Sequence, residues 1–275
     1  MTKTIKNTSA AQTKNTNIST TIREPLWRRH FHSVLAFLYF IQAAVVFLFS
    51  ATRSVNVTGA YMTIDTLASN AGNGTVYAPA THHVFDANLG GIVVTMLLLA
   101  AITHAFLAVG LKKKSQKDEN AQTAQERRIR WIGLGASMVI AFYLVALVLG
   151  VRDITALIPL LTLCTLVAIA GYLLESRQQI SRRVIYSLTG LAAFIPWIVL
   201  GLVVFMSAQY GNLNATAQWV FASTAAFSLL LYGGVYSLYS GKRPLKLEAA
   251  IFMSLTMLVL QSALAWQVYA GFLHN

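Results

Sequence analysis

Seven long runs of apolar residues mark the chain, at about 31–52, 89–111, 131–150, 154–174, 184–207, 217–240 and 248–273. Each is about 20 residues or longer, the length of helix needed to cross a hydrocarbon layer about 30 Å thick. The runs are continuous rather than alternating. They predict helices, because a helix closes its backbone hydrogen bonds within itself and hydrocarbon supplies no others. The connections differ from one another. Between the first two runs, SVNVTGAYMTI (Ser54–Ile64) and GTVYAPATHHVF (Gly74–Phe85) are rich in Val, Thr and Tyr, with NAGNG between them. That pattern predicts a β-hairpin over about 54–86. VRDIT, 151–155, is so short that the third and fourth helices must form a tight antiparallel pair. KKKSQKDENAQTAQERR, 112–128, is polar and mixed in charge, compatible with a solvated loop or with short helical extensions. Residues 1–26 carry Thr, Asn, Ser and Lys and no apolar run, which predicts a disordered tail and no cleaved signal peptide. The fold class is therefore an all-α membrane protein: a seven-helix bundle in one domain, 27–275, with a β-hairpin in its first long loop.

Charge fixes the orientation. Nineteen of the 21 Lys and Arg fall in the tail and in the second, fourth and sixth connections. Only Arg53 and Arg152 fall on the other side. Basic residues stay on the cytoplasmic side, so the N-terminus is expected inside, with the hairpin and the C-terminus outside. The same distribution accounts for the net charge of +12 without a nucleic-acid partner. The basic residues read as topology signals that touch anionic lipid headgroups, and no basic element carries a base-stacking pattern.

The spans hold little ionisable chemistry. All nine acids lie in loops or at helix ends. Ion pathways and proton relays use buried charged groups, so a pump is disfavoured. No nucleophile–base spacing or metalloprotease motif is present, so no enzyme is expected. The single cysteine, Cys164, excludes a disulfide framework and reads as a small core residue. No Lys, Arg, Asp or Glu lies deep in a run; His104 is the exception among the charge-bearing residue types, and Tyr39 and Gln42, three apart on the first helix, are candidates to join it in a polar cluster. His82, His83 and Asp86 read as a solvated stretch rather than a metal site, because adjacent residues of a strand face opposite ways. Pro196 is expected to kink the fifth helix. Trp27 and Trp131, each beside arginines, read as interface anchors.

An inside N-terminus on seven helices is the reverse of ordinary rhodopsins. With SALAWQVYAG (Ser262–Gly271), IPWIV (Ile195–Val199), RWI (Arg130–Ile132), LYFIQ ending at Gln42 and THAFLA around His104, the chain resembles the heliorhodopsin family over about 27–273. In that family the residue before SALAWQ is the lysine that holds retinal as a Schiff base. Here it is Gln261. It lies thirteen residues into the seventh helix from Glu248, about 20 Å deep. A carboxamide cannot form an imine, since that chemistry needs an amine. Lys246 sits at the membrane edge and no other lysine falls within a span. The family's glutamate counterion directly follows RWI. Here that position is Gly133. A buried carboxylate without its cation would be costly, so the two losses agree.

The resemblance thus implies a rhodopsin-like bundle without covalent retinal. Gln261 has two readings, an interhelical hydrogen bond that plugs the former pocket, or part of a pocket that holds a retinoid, carotenoid or lipid non-covalently. Gly133, Ser137, Trp197, Ser262 and Trp266 join Gln261 as candidate lining. The expected role is signalling or interaction through a cytoplasmic protein partner of unknown identity. A ligand-binding or light-sensing role is the alternative, and a transporter or channel ranks below both, because no inverted repeat is visible. A homodimer is implied by the resemblance alone.

Overall fold

The computed structural model describes residues 26–72, 74–110, 119–176, 182–211, 213–240 and 246–274. The expected disordered tail, apart from Leu26, and residues 112–118 of the second connection lie outside these.

The chain forms α1 (Leu26–Phe49), β1 (Ser54–Ile64), α2 (Thr66–Ala71), β2 (Tyr77–Asn88), α3 (Leu89–Gly110), α4 (Glu119–Val148), α5 (Ile154–Ser176), α6 (Arg182–Tyr210), α7 (Ala215–Ser240) and α8 (Lys246–Val268). A π-helical turn, Tyr269–Leu273, extends α8. Every helix except α2 is long and apolar enough to cross a membrane. The described part of the second connection is helical, since α4 begins at Glu119, so helical extension is the reading that holds there. α6 runs through Pro196, and α5 likewise contains Pro159.

The bundle core forms where small and branched residues let helices approach closely. Ala43 and Val46 of α1, Val93, Met96 and Ala100 of α3, Leu144 and Val145 of α4, and Leu264 and Val268 of α8 are all buried in one cluster. α1 packs chiefly on α3, whereas α6 and α7 touch along little of their length.

The two strands pair antiparallel from Ser54–Asn88 to Ile64–Tyr77, with a bulge after Val57. The connection between them is longer than a tight hairpin turn. It contains α2, capped by Asp65, whose carboxylate accepts from the N–H groups of Leu67 and Ala68. The hairpin is tied down at two places. At its base, Leu89 N–H donates to Arg53 O, and the Arg53 guanidinium donates to Phe272 O at the end of the π-helical turn, 3.1 Å. Ala51 N–H donates to Leu273 O, 2.8 Å. Along β1, Thr58 N–H donates to Arg152 O, and Ala60 N–H donates to the Asp153 carboxylate at 3.3 Å. Asp153 also caps α5, accepting from the Thr155 hydroxyl at 2.6 Å and the Thr155 N–H at 3.0 Å.

The Asp153 latch gives a pH dependence. Hydrogen bonds from the Thr155 hydroxyl and N–H, then Ala60 N–H, hold its carboxyl below the ordinary value. A depressed carboxyl stabilises the fold above its unfolded value of about 4, and that stabilisation is lost as pH falls through the folded value. Amide exchange at Ala60 and Thr155, corrected for intrinsic rates, is therefore expected to be flat from neutral pH down to about 4 and to rise below it. Asp153→Ala should remove this dependence, because nothing then titrates at the latch.

Candidate functional site

Gln261 lies on the face of α8 that looks into the bundle and is wholly buried. Its Nε2 donates to the Ser137 hydroxyl of α4 at 2.8 Å. Ser137, also fully buried, donates in turn to Leu134 O at 2.9 Å. The carboxamide thus ties α8 to α4 near mid-depth. Its Oε1 has no hydrogen-bond partner among the described residues, and neither does the neighbouring Ser262 hydroxyl.

Gly133 sits one turn from Ser137 on α4, but no space opens there. A Cβ at this position would run into the Thr103 side chain of α3. Thr103 is held in place by its own hydroxyl, which donates to Leu99 O at 2.7 Å. The glycine is needed for the close approach of α3 and α4, and a glutamate there would not fit this packing. Two further glycines seat aromatic rings in the same way: Gly171 against Trp131 and Gly234 against Phe252. Trp131 therefore packs between α4 and α5 rather than standing as an interface anchor. Trp27 is about half exposed, consistent with an anchor.

Beside the Gln261–Ser137 contact lies an open cavity of about 170 Å³, lined by α4, α5, α6, α7 and α8. Its wall includes Trp131, Met138, Phe142, Cys164, Trp197 and Met257. Phe142 and Phe221 pack around the Trp197 ring, with centroids 5.3 and 6.0 Å away. The polar groups of the wall mostly spend their protons on backbone: Thr189 on Ile185 O, Thr224 on Val220 O and Tyr232 on Tyr186 O.

Of the six residues expected to line a pocket, only Trp197 does so. Helical phase explains the others. Leu260 and Met257 face the cavity, while Gln261, one residue and about 100° further on, turns toward α4. Trp266 is 41% exposed and stacks edge-on against Tyr269, outside the cavity. Ser262 is half-buried and does not line it. Gly133 is closed by Thr103.

The second expected cluster forms in part. His104 is fully buried on α3, with Tyr39 stacked on it at 5.7 Å. Gln42 stays apart, donating to Leu38 O within α1. The sequence reading missed His32. Its Nδ1 lies 3.1 Å from His104 Nδ1, and the two rings stack at 5.2 Å. One nitrogen must donate and the other accept, which fixes complementary tautomers for the neutral pair. The signal was available, because His32 and Tyr39 are seven residues apart and so share a helix face. On the outer surface, His83 pairs with Asp86 at 3.3 Å, and no group of three metal-ligating side chains occurs among the described residues.

The architecture is that of a rhodopsin-type seven-helix membrane protein. The crystal structure of thermophilic rhodopsin from Rubrobacter xylanophilus superposes with a TM-score of 0.60, covering 89% of this chain and 94% of that one at 12% sequence identity. At that identity the likeness establishes the fold alone. Residues 28–273 match the heliorhodopsin family as a whole, and the chain belongs to that family. No curated protein matches it.

Two substitutions test the packing. Gly133→Ala is expected to destabilise the protein by about 1–3 kcal/mol through overpacking against Thr103, read as a lower midpoint of thermal unfolding. Pairing it with Thr103→Ala should recover part of the loss. Gln261→Leu, which removes the bond to Ser137 at similar volume, should cost only about 0.6 kcal/mol.

Proposed function

We propose that this heliorhodopsin-family protein holds no covalent retinal, pumps no ions, catalyses no reaction, and acts by signalling or interaction through protein partners. The observation that carries the reading is the buried carboxamide of Gln261, hydrogen-bonded to Ser137 at 2.8 Å. It stands where the family's resemblance puts the Schiff-base lysine. The packing of Gly133 against Thr103 supports it, because the counterion position offers no room for a carboxylate. The scarcity of charged groups inside the spans supports the absence of pumping. The distribution of Lys and Arg supports a cytoplasmic N-terminus and an extracellular C-terminus in the cell membrane. The partner is then a cytoplasmic protein that meets the basic connections, and the family likeness favours a homodimer.

A second reading has its own observation. The apolar cavity around Trp197 favours a bundle that binds a retinoid, carotenoid or lipid non-covalently.

Incubation of the purified protein with all-trans retinal, followed by acid denaturation of one sample and borohydride reduction of a second, separates the readings. The expected outcome is no retinal fixed to the chain. A visible band that vanishes on acid denaturation, with free retinal recovered, would establish the second reading. A band that survives as a protonated Schiff base would overturn both, since it requires an amine in the pocket.

A further inference from the structure

α6 and α7 are the least buried of the seven spans. Each leans on its other neighbour, α6 on α5 and α7 on α8, and the two meet along little of their length. The seam between them is the sparsest joint between consecutive helices of the bundle. It is also a wall of the cavity, to which α6 contributes Tyr186, Phe194 and Trp197, and α7 contributes Thr224, Leu229 and Tyr232.

Aromatic side chains tie this seam. The Tyr232 hydroxyl reaches across from α7 and donates to Tyr186 O of α6 at 2.7 Å. Gly190 is the slot that admits it. A Cβ there would lie 2.9 Å from the Tyr232 oxygen and 3.6 Å from the ring carbon that bears it. Around this point the rings meet edge-on, Tyr186 with Tyr236 at 4.8 Å and Phe194 with Tyr232 at 6.0 Å. Further along, Trp197 packs on Phe221 at 6.0 Å. Leu229, between the two ties on α7, lines the cavity and is half exposed. The Tyr232 bond is also one that can be released. Tyr186 lies inside α6, where its carbonyl accepts from Gly190 N–H as well, so it is not orphaned when the tyrosine leaves.

We infer that the α6–α7 seam is a lateral portal between the bilayer and the cavity, and that Tyr232, seated on Gly190, is its catch. Release of the catch parts α6 from α7 and admits apolar molecules dissolved in the hydrocarbon. The wall suits such molecules, because Thr189, Thr224 and Tyr232 turn their hydroxyls onto backbone. For what passes through, the inference rests on the non-covalent-ligand reading of this cavity.

The test uses Met257→Cys as reporter in the Cys164→Ala background, with the full chain in bilayer discs. Met257 belongs to the cavity wall on α8 and is only 2% exposed. The rate at which the reporter reacts with a small lipid-soluble thiol reagent reads how often the portal opens. Tyr232→Phe is expected to raise that rate about fivefold, the loss of one neutral hydrogen bond. Gly190→Ala, which displaces the hydroxyl, should raise it by a similar factor. In the Tyr232→Phe background it should add little, because the nearest ring carbon is then 3.6 Å from the new methyl, an ordinary contact. Ile169→Cys, on the exposed side of α5, is the control and should react alike in every background. A reporter rate indifferent to Tyr232→Phe overturns the catch. A Gly190→Ala effect of equal size in both backgrounds overturns it too, since that is general loosening. So does a reporter as fast as the control before either change, since the portal then stands open. The rates need no ligand. Retinal recovered free from a protein whose rates do not respond would sink the portal alone, while responsive rates where retinal gives no visible band would sink the retinoid and keep the portal.

Discussion

Hydrocarbon offers no hydrogen bonds, and most of this structure follows from that. The spans are helical because each closes its own backbone. The hydroxyls within them obey the same demand. Thr95, Thr103, Thr162, Thr165, Thr189, Thr224 and Ser254 each donate to the carbonyl four residues earlier. Such residues carry polarity without exposing it. Gln261 does not bond its own helix in this way and reaches across to Ser137 instead. The carboxamide thereby becomes an interhelical contact by the same necessity that makes the threonines intrahelical ones.

Where the rule is broken, the exceptions lie mainly in one part of the bundle, with the Ser228 hydroxyl of α7 apart from them. The Tyr39 hydroxyl, His104 Nε2, Gln261 Oε1 and the Ser262 hydroxyl are buried without a partner among the described residues. They come from α1, α3 and α8, on the side away from the apolar cavity. The interior is therefore divided. A polar side is formed by α1, α3 and the inward face of α8, and an apolar side by α5, α6 and α7, with the Gln261–Ser137 bond on the boundary. Buried polar atoms of this kind are normally met by internal water, and the cavity wall is of the kind that stays dry.

The architecture was legible in the sequence because hydrophobic length and charge asymmetry are properties of whole segments. Seven runs gave seven helices, and the Val-, Thr- and Tyr-rich stretches at 54–64 and 74–85 gave the two strands, Ser54–Ile64 and Tyr77–Asn88. The site was far less legible. Which side of α8 meets α4 depends on the rotation of one helix against another, and a step of one residue turns a side chain by about 100°. Leu260 and Gln261 are neighbours in sequence and face different compartments. Trp266 sits in the same recognisable string as Ser262 and lies on the outer surface. Trp131, beside arginines, reads as an anchor until the glycine at 171, forty residues away, is brought beneath its ring. The short helix α2 hides behind residues that also suit a turn. His32 was obscured by the basic residues around it, although its spacing from Tyr39 pointed to the same face.

The π-helical turn at the end of α8 carries a consequence for how the molecule is made. Its last carbonyls are bonded by Arg53 and Ala51, residues that lie directly after α1. The start and the finish of the bundle are thus fastened to each other, about 220 residues apart in the chain. During synthesis the first loop emerges long before its clasp exists. The hairpin base gains these bonds only once the turn after α8 has been made, so a ring that the first helix opens is closed by a segment synthesised about 220 residues later.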